Sequence, residues 1–241
     1  MRAVILAAGI ASRLRPLTEN TPKCLLKVGG KNILQLTLEN LLANNITDLV
    51  MVTGYLEHQI KDFISAAFPQ FRVTYIYNEL YDSTNNIYSL WLAKDALLGD
   101  EMLLMDSDIV FDSRIIAELT QSGYDNCLAL KRHKVGDEEI KVKADELGRV
   151  MEISKIVLPA LAVGESIGIE KFGKQSLYKL FEIIERKVIQ EKMVNIFYEV
   201  AFEQLIKEGE DIFTVDITDY ICMEIDTADD LKAAAEVFNN E

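Results

Sequence analysis

The chain opens on a short apolar run, Ala3 to Ala8, and through its first half such runs alternate with stretches that repeat apolar residues every three or four positions. Short runs predict buried strands, and the periodic stretches predict amphipathic helices. Val4 to Ala7 reads as the first strand. Apolar residues at 33, 34, 38, 41 and 42 make a helical stripe over Ile33 to Leu42, and Asp48 to Thr53 reads as a second strand closed by Gly54. Glu57 to Phe68 reads as a helix ended by Pro69, Arg72 to Tyr77 as a β run, Ile87 to Leu97 as a helix, and Met102 to Met105 as a further buried strand. This alternation is the pattern of βαβ units, and it predicts an α/β fold with a doubly wound, mostly parallel sheet.

Beyond about residue 125 the β segments lengthen: Cys127 to Lys131, Ile140 to Lys143, and Arg149 to Ile153, entered through a Leu147-Gly148 turn. Helices are expected over Gln175 to Ile189 and Val194 to Lys207, β runs over Phe213 to Val215 and Ile221 to Ile225, and a closing helix over Ala228 to Phe238. No internal repeat or low-complexity linker divides the chain. It is therefore read as one domain, 1–241, whose second part, 126–241, is a β-hairpin and helical insertion on the core formed by 1–125.

Composition adds exclusions. Hydrophobic residues are 49% and charged residues 27%, ordinary usage for a soluble globular chain. A formal charge of −14 argues against nucleic acid and acidic membranes as partners, since both reward a basic surface. The opening apolar run is too short for a signal segment or a membrane span. Cys24, Cys127 and Cys222 show no paired spacing, which suits reduced thiols in the cytoplasm. Yet residues 1–30 carry five basic groups (Arg2, Arg13, Arg15, Lys23, Lys27) against Glu19 alone, as expected where a small anion is held.

A loop leaving the first strand of such a sheet lies at its carboxyl edge, where backbone N–H groups can cradle phosphates. Small residues at Ala7, Ala8 and Gly9 would let a nucleotide approach closely, with Arg13 and Lys23 supplying charge. The Walker A and dinucleotide glycine patterns are both absent. Taken alone, the loop equally fits a solvated turn.

Asp106 and Asp108 emerge from the Met102 strand one residue apart, a spacing that suits one hard cation or an ordinary polar loop. Asp226 and Thr227 stand between a β run and the last helix, where either could be the helix cap. His58 and His133 have no metal-ligand spacing with a cysteine, so zinc is not expected.

The whole string Leu6-Ala7-Ala8-Gly9-x-Ala11-x-Arg13-Leu14-x-Pro16-Leu17-Thr18-x-x-x-Pro22-Lys23-x-Leu25 resembles the sugar-phosphate nucleotidyltransferase superfamily, whose pattern usually has glycine where Ala11 stands. The resemblance implies a Mg²⁺-dependent nucleotidyltransferase. In it Leu6, Ala7, Ala8 and Gly9 bind the nucleotide, Arg13 holds the departing pyrophosphate, and Lys23 bridges the α-phosphate and the acceptor. Asp108 and Asp226 would be the metal ligands, with Asp106 accessory.

The segment from Tyr77 to Leu90, together with Gly54-Tyr55-Leu56 and Gly164 to Ile169, resembles the phosphocholine cytidylyltransferase branch, which includes enzymes acting on aminoethylphosphonate and inositol phosphate. That implies CTP as donor, with cytosine read near Leu6, Ala8, Gly54, Asn78 and Ser83, and with Tyr55 and Asn85 also binding the nucleotide. It implies a small phosphate or phosphonate acceptor, with Lys155 on its phosphate and Glu165, Tyr198, Glu199 and Asp216 around a cationic head group. No tryptophan or tyrosine lies between Lys131 and Val150 to cage a trimethylammonium group, so a primary amine or a polyol phosphate stays open. Synthesis of a nucleotide sugar from a sugar 1-phosphate and a nucleotide-binding module without turnover are the alternatives. A homodimer through the faces of the two late helices is a further expectation.

Overall fold

The computed structural model describes residues 1–238. Strand β1 (Arg2–Ala7) leads through the glycine loop into a small hairpin, β2 (Lys27–Val28) and β3 (Lys31–Asn32), and then α1 (Ile33–Ala43). The alternating half continues with β4 (Asp48–Thr53), α2 (Glu57–Ala67), β5 (Arg72–Tyr77), α3 (Asn86–Leu92), α4 (Lys94–Leu97) and β6 (Met102–Asp106). After β7 (Ile109–Phe111) and α5 (Arg114–Gln121) come β8 (Cys127–Lys131), β9 (Lys141–Ala144), β10 (Val150–Ser154) and β11 (Gly164–Phe172). The chain closes with α6 (Lys174–Glu185), a π turn over Arg186–Gln190, α7 (Glu199–Lys207), β12 (Phe213–Asp216), β13 (Cys222–Glu224) and α8 (Ala228–Phe238).

Among the described residues the main sheet has nine strands. Its parallel part runs β5-β4-β1-β6. From β1 the chain winds outwards to β4 and β5, then returns to β6 on the other side of β1. The carboxyl ends of β1 and β6 thus flank the switch point, where open α/β sheets bind ligands. The sheet continues through β11, antiparallel to β6, and β8 and β9 pair with β11 in turn. Both halves of the chain therefore share one sheet.

Successive residues of a strand face opposite ways, and both faces here are covered. Val4 and Leu6 of β1 pack with Val50, Val52 and Leu104 against Ile87 and Leu90 of α3, Leu180 of α6 and Phe202 of α7. Ala3 and Ile5 pack with Met51 and Met105 against Leu34 and Leu38 of α1 and Ile60 of α2. Burial on both sides explains why these strands read as unbroken apolar runs. A third, smaller core joins Leu14 of the glycine loop, Leu26, Val28, Ile33 and Val110 to Ile225 and Ala234, which docks the last helix beside that loop.

Two expectations are corrected. The helix over Ile87 to Leu97 is two helices that meet at Ala93. The helix expected from Val194 starts only at Glu199, because the preceding residues are held elsewhere: Asn85 N–H donates to Val194 O at 2.9 Å, and Tyr198 N–H donates to Asn86 Oδ1 at 2.9 Å. Strand β11 was not anticipated. No helix among the described residues is long and apolar enough to cross a membrane.

Candidate active site

The loop after β1 is fastened from below. Tyr55 N–H donates to Ala8 O at 3.1 Å, and the Tyr55 hydroxyl donates to Glu19 O at 2.6 Å. A Cβ at Gly54 would stand 2.6 Å from Ala8 O and 2.6 Å from Tyr81 Cβ, so only glycine permits this approach. Ala11 adopts a left-handed conformation, φ 51° and ψ 52°, and its carbonyl accepts from the buried Thr18 hydroxyl at 2.9 Å. That backbone explains why the resembling pattern has glycine here. Leu6, Ala7, Ala8, Gly9 and Ala11 form one wall of a cleft of about 350 Å³, faced by Tyr81, Thr84, Asn85, Asn86 and Ser89.

At the mouth of this cleft the two ends of the chain meet. Lys23 Nζ donates to Asp108 Oδ2 at 2.7 Å and to Asp226 Oδ1 at 2.7 Å, while Arg13 Nη1 donates to Asp226 Oδ2 at 3.0 Å. Pairing of β13 with β7, extended by Ile225 N–H donating to Asp108 O at 2.9 Å, brings residue 226 to residue 108. Thr227 caps α8: its hydroxyl accepts from Asp230 N–H at 3.2 Å, and Asp230 Oδ2 accepts from Thr227 N–H at 2.7 Å. Asp226 is thereby left free to face Lys23. Burial alone would depress the Lys23 ammonium, but Asp108 and Asp226 outweigh it and hold its pKa above the usual lysine value.

Carboxylate oxygens of Asp108, Glu224 and Asp226 lie within 4.8 Å of one another, an oxygen-donor set that fits a hard cation such as Mg²⁺. Glu224 had not been anticipated as a ligand; it sits at the end of a three-residue strand. Burial, then Asp108 and Asp226, push its carboxyl up to about 7. Asp106, expected as an accessory ligand, is outside this group. Its Oδ2 accepts from the Tyr198 hydroxyl at 3.1 Å, which turns it towards β11 and α7. Cys24 also lines the cleft, but burial drives its thiol up to about 12, so it is no nucleophile.

A second cleft of about 600 Å³ opens from the first, sharing Asn86, Asp108, Lys155, Phe197, Glu224 and Asp226 with it and reaching down to Ser166, Gly168 and Glu199. Gly168 has φ +71°, and a Cβ there would come 2.7 Å from Asp106 Oδ2. It lies within a bulge in the pairing of β11 with β8, between Ser166 and Glu170. The combined shape, a phosphate-sized loop with cations at a carboxylate cluster and a polar chamber behind it, suits two substrates meeting at Lys23.

Residues 2–139 match the family model described as Nucleotidyl transferase. The chain belongs to the nucleotidyl transferase family. It is 28% identical over 241 residues to choline-phosphate cytidylyltransferase from Streptococcus pneumoniae, covering 100% of each chain. It is 29% identical to choline-phosphate cytidylyltransferase from Haemophilus influenzae, covering 95% of this chain and 94% of that one. The solved CTP:phosphocholine cytidylyltransferase from Streptococcus pneumoniae superposes with a TM-score of 0.82 at 24% identity, covering 98% of both chains, which establishes the shared fold.

Within this family frame the structure brings together Leu6, Ala7, Ala8, Gly9, Arg13, Lys23, Asn78, Asn85, Asp108, Lys155 and Asp226 around the first cleft, and Glu165 and Glu199 along the second. Asn78 lines the cleft with its polar atoms already committed: its amide donates to Thr84 Oγ1 and Ser89 Oγ at 3.1 Å each, and its Oδ1 accepts from Leu80 N–H at 2.9 Å. It braces the facing loop. Five expected contacts fall outside both linings. Gly54 and Tyr55 secure the glycine loop, and Ser83 is exposed with its hydroxyl on Leu80 O. Tyr198 is fully buried beneath Asp106. Asp216 closes a turn, accepting from Thr218 Oγ1 at 2.6 Å and Arg132 Nε at 2.6 Å.

Proposed function

We propose that this chain is a Mg²⁺-dependent cytidylyltransferase of the cytoplasm that moves CMP from CTP to a small phosphate or phosphonate acceptor and releases pyrophosphate. The observation that carries the reading is Lys23 Nζ lying 2.7 Å from both Asp108 and Asp226 at the mouth of the glycine-loop cleft. Two full-length relatives that use the same reaction type on phosphocholine support the donor and the acceptor class. Three free, buried cysteines suit a reducing compartment.

An acceptor phosphate oxygen attacks the α-phosphorus; a new P–O bond forms, and the bond to the β-phosphate bridging oxygen breaks, its electron pair leaving with pyrophosphate. The nucleophile is already ionised at neutral pH, so the protein's task is to position two polyanions and offset their repulsion. Backbone N–H groups of the loop after Ala7 receive the phosphates, Arg13 takes the pyrophosphate side, and Lys23 serves the α-phosphate. Mg²⁺ held by Asp108 and Asp226, with Glu224 beside them, would add Lewis-acid neutralisation of phosphate charge.

The test is a pyrophosphate-release panel that crosses ATP, GTP, UTP and CTP with phosphocholine, phosphoethanolamine, 2-aminoethylphosphonate, inositol phosphate and hexose 1-phosphates. Turnover with CTP and a small non-sugar acceptor is expected. Turnover confined to hexose 1-phosphates would make the chain a nucleotide-sugar synthase, and tight nucleotide binding without release of pyrophosphate would make it a binding module.

A further inference from the structure

The floor of the second cleft holds a carboxylate oxygen that finds no hydrogen-bond donor among the described residues. Glu199, in the first turn of α7, is 7% exposed, lines the cleft, and its Oε2 has no hydrogen-bond partner. Leaving a buried carboxylate oxygen unmatched is costly unless a ligand supplies the donor. Its neighbours add acceptors rather than donors: Asp106 lines the same cleft, and Glu170 nearby is 1% exposed with its own Oε2 unpartnered. Lys155, a cation of the same cleft, is engaged elsewhere, 3.5 Å from Glu138 Oε2 and 5.1 Å above the Phe197 ring.

A metal is not what the floor fits. Among the described residues the grouping compact enough for a metal ion is Asp108, Glu224 and Asp226, and it excludes Glu199. Nor is it a site for a trimethylammonium group, which offers no N–H and is held by stacked aromatic faces. Of phenylalanine, tyrosine and tryptophan among the described residues, the cleft is lined by Phe197 alone, and Lys155 already covers that ring. A polyol would satisfy hydrogen bonds but leave the carboxylate charge uncompensated.

We propose that the acceptor carries a protonated primary amine, whose N–H groups bond Glu199 Oε2 and Asp106 while its phosphate or phosphonate end reaches the Lys23 site. This rests on the transfer reaction proposed above and names its substrate class. A primary ammonium is charged at neutral pH, like that of lysine, and supplies three donors to the floor at Glu199 and Asp106.

The test compares three acceptors with CTP under one pyrophosphate-release assay: 2-aminoethylphosphonate, its N,N,N-trimethyl analogue and 2-hydroxyethylphosphonate. The amine is expected to exceed both others in kcat/KM by about tenfold or more, the size of a charged hydrogen bond. In Glu199→Gln the preference for amine over hydroxyl should shrink by about tenfold, read as a ratio within one protein so that a folding defect does not enter. Equal or better use of either analogue by the wild type overturns the proposal while leaving cytidylyl transfer intact. Release of pyrophosphate with none of the three but with a hexose 1-phosphate overturns both.

Discussion

Lys23 Nζ lies 2.7 Å from Asp226 Oδ1 although 203 positions separate them along the chain. The contact exists because α8 docks on the glycine loop through Leu14, Val28, Ile225 and Ala234. If both residues act on the same phosphates, each single variant, Lys23→Met or Asp226→Asn, should lower kcat by about 10²- to 10³-fold. Groups that act as a unit are strongly non-additive, so the double variant should fall less than about tenfold below either single one. A double-mutant cycle on pyrophosphate release checks this, and fully additive losses would separate the two roles.

Ala11 holds a left-handed backbone that costs an L-residue about 1–2 kcal/mol and glycine almost nothing. Part of the gain from glycine is offset by the extra freedom it gives the unfolded chain. Ala11→Gly should therefore stabilise by roughly 1 kcal/mol, a rise of about 2–4 °C in Tm for a chain of this size. Thermal unfolding of the two proteins at one pH decides it.

Gly168→Ala works in the opposite sense. Its φ of +71° disfavours any side chain, and the added Cβ would meet Asp106 Oδ2 at 2.7 Å. Either Asp106 or the bulge must shift, at a cost of about 1–3 kcal/mol. Because the displacement occurs on the floor of the second cleft, KM for the acceptor should rise several-fold more than KM for CTP. Steady-state kinetics with each substrate varied in turn reads the split.

Lys141 is 1% exposed and spends its ammonium on three carbonyls, those of Gly136, Asp137 and Glu139, at 3.0–3.2 Å. It folds the loop that places Glu138 and Glu139 at the rim of the acceptor cleft. Lys141→Met removes the three bonds, but those carbonyls can turn to water. The expected effect is local: faster amide exchange over residues 133–139 and a weaker acceptor KM, with little change in global unfolding.

The parts legible in the sequence were those where one physical cause acts alone. Strands β1, β4 and β6 are buried on both faces and read as apolar runs, and the loop from Leu6 to Lys23 carries a long, specific string. Strand β11 was hidden because the bulge at Gly168 breaks its alternation and because Glu170 and Lys171 are buried charges within it. Tyr81 and Glu224 join the site only through contacts distant in sequence. Tyr198 and Asp216 were placed at the acceptor for their chemistry, whereas packing under Asp106 and pairing with Arg132 decide where they sit.

The Glu199 carboxyl is pushed up to about 7 by burial, with a backbone N–H and Lys155 offsetting only part of that cost. Asp106 and Glu170 face it and carry raised values of their own, each penalised first by burial and then by neighbouring carboxylates. A folded-state value above the unfolded one, about 4.3, means the native protein binds the extra proton between the two. This group's contribution to stability therefore falls as pH rises from about 4 to 7 and is flat above, a change on the order of 3 kcal/mol that Glu199→Gln should abolish. Urea unfolding of both proteins at pH 5 and pH 7.5 measures it. Ligand binding has the opposite sign, because a primary ammonium needs the ionised carboxylate. Binding of 2-aminoethylphosphonate should tighten from pH 6 to pH 8 more in the wild type than in Glu199→Gln, since the ligand's own titration is common to both. Parallel pH profiles for the two proteins would remove Glu199 from the amine's recognition.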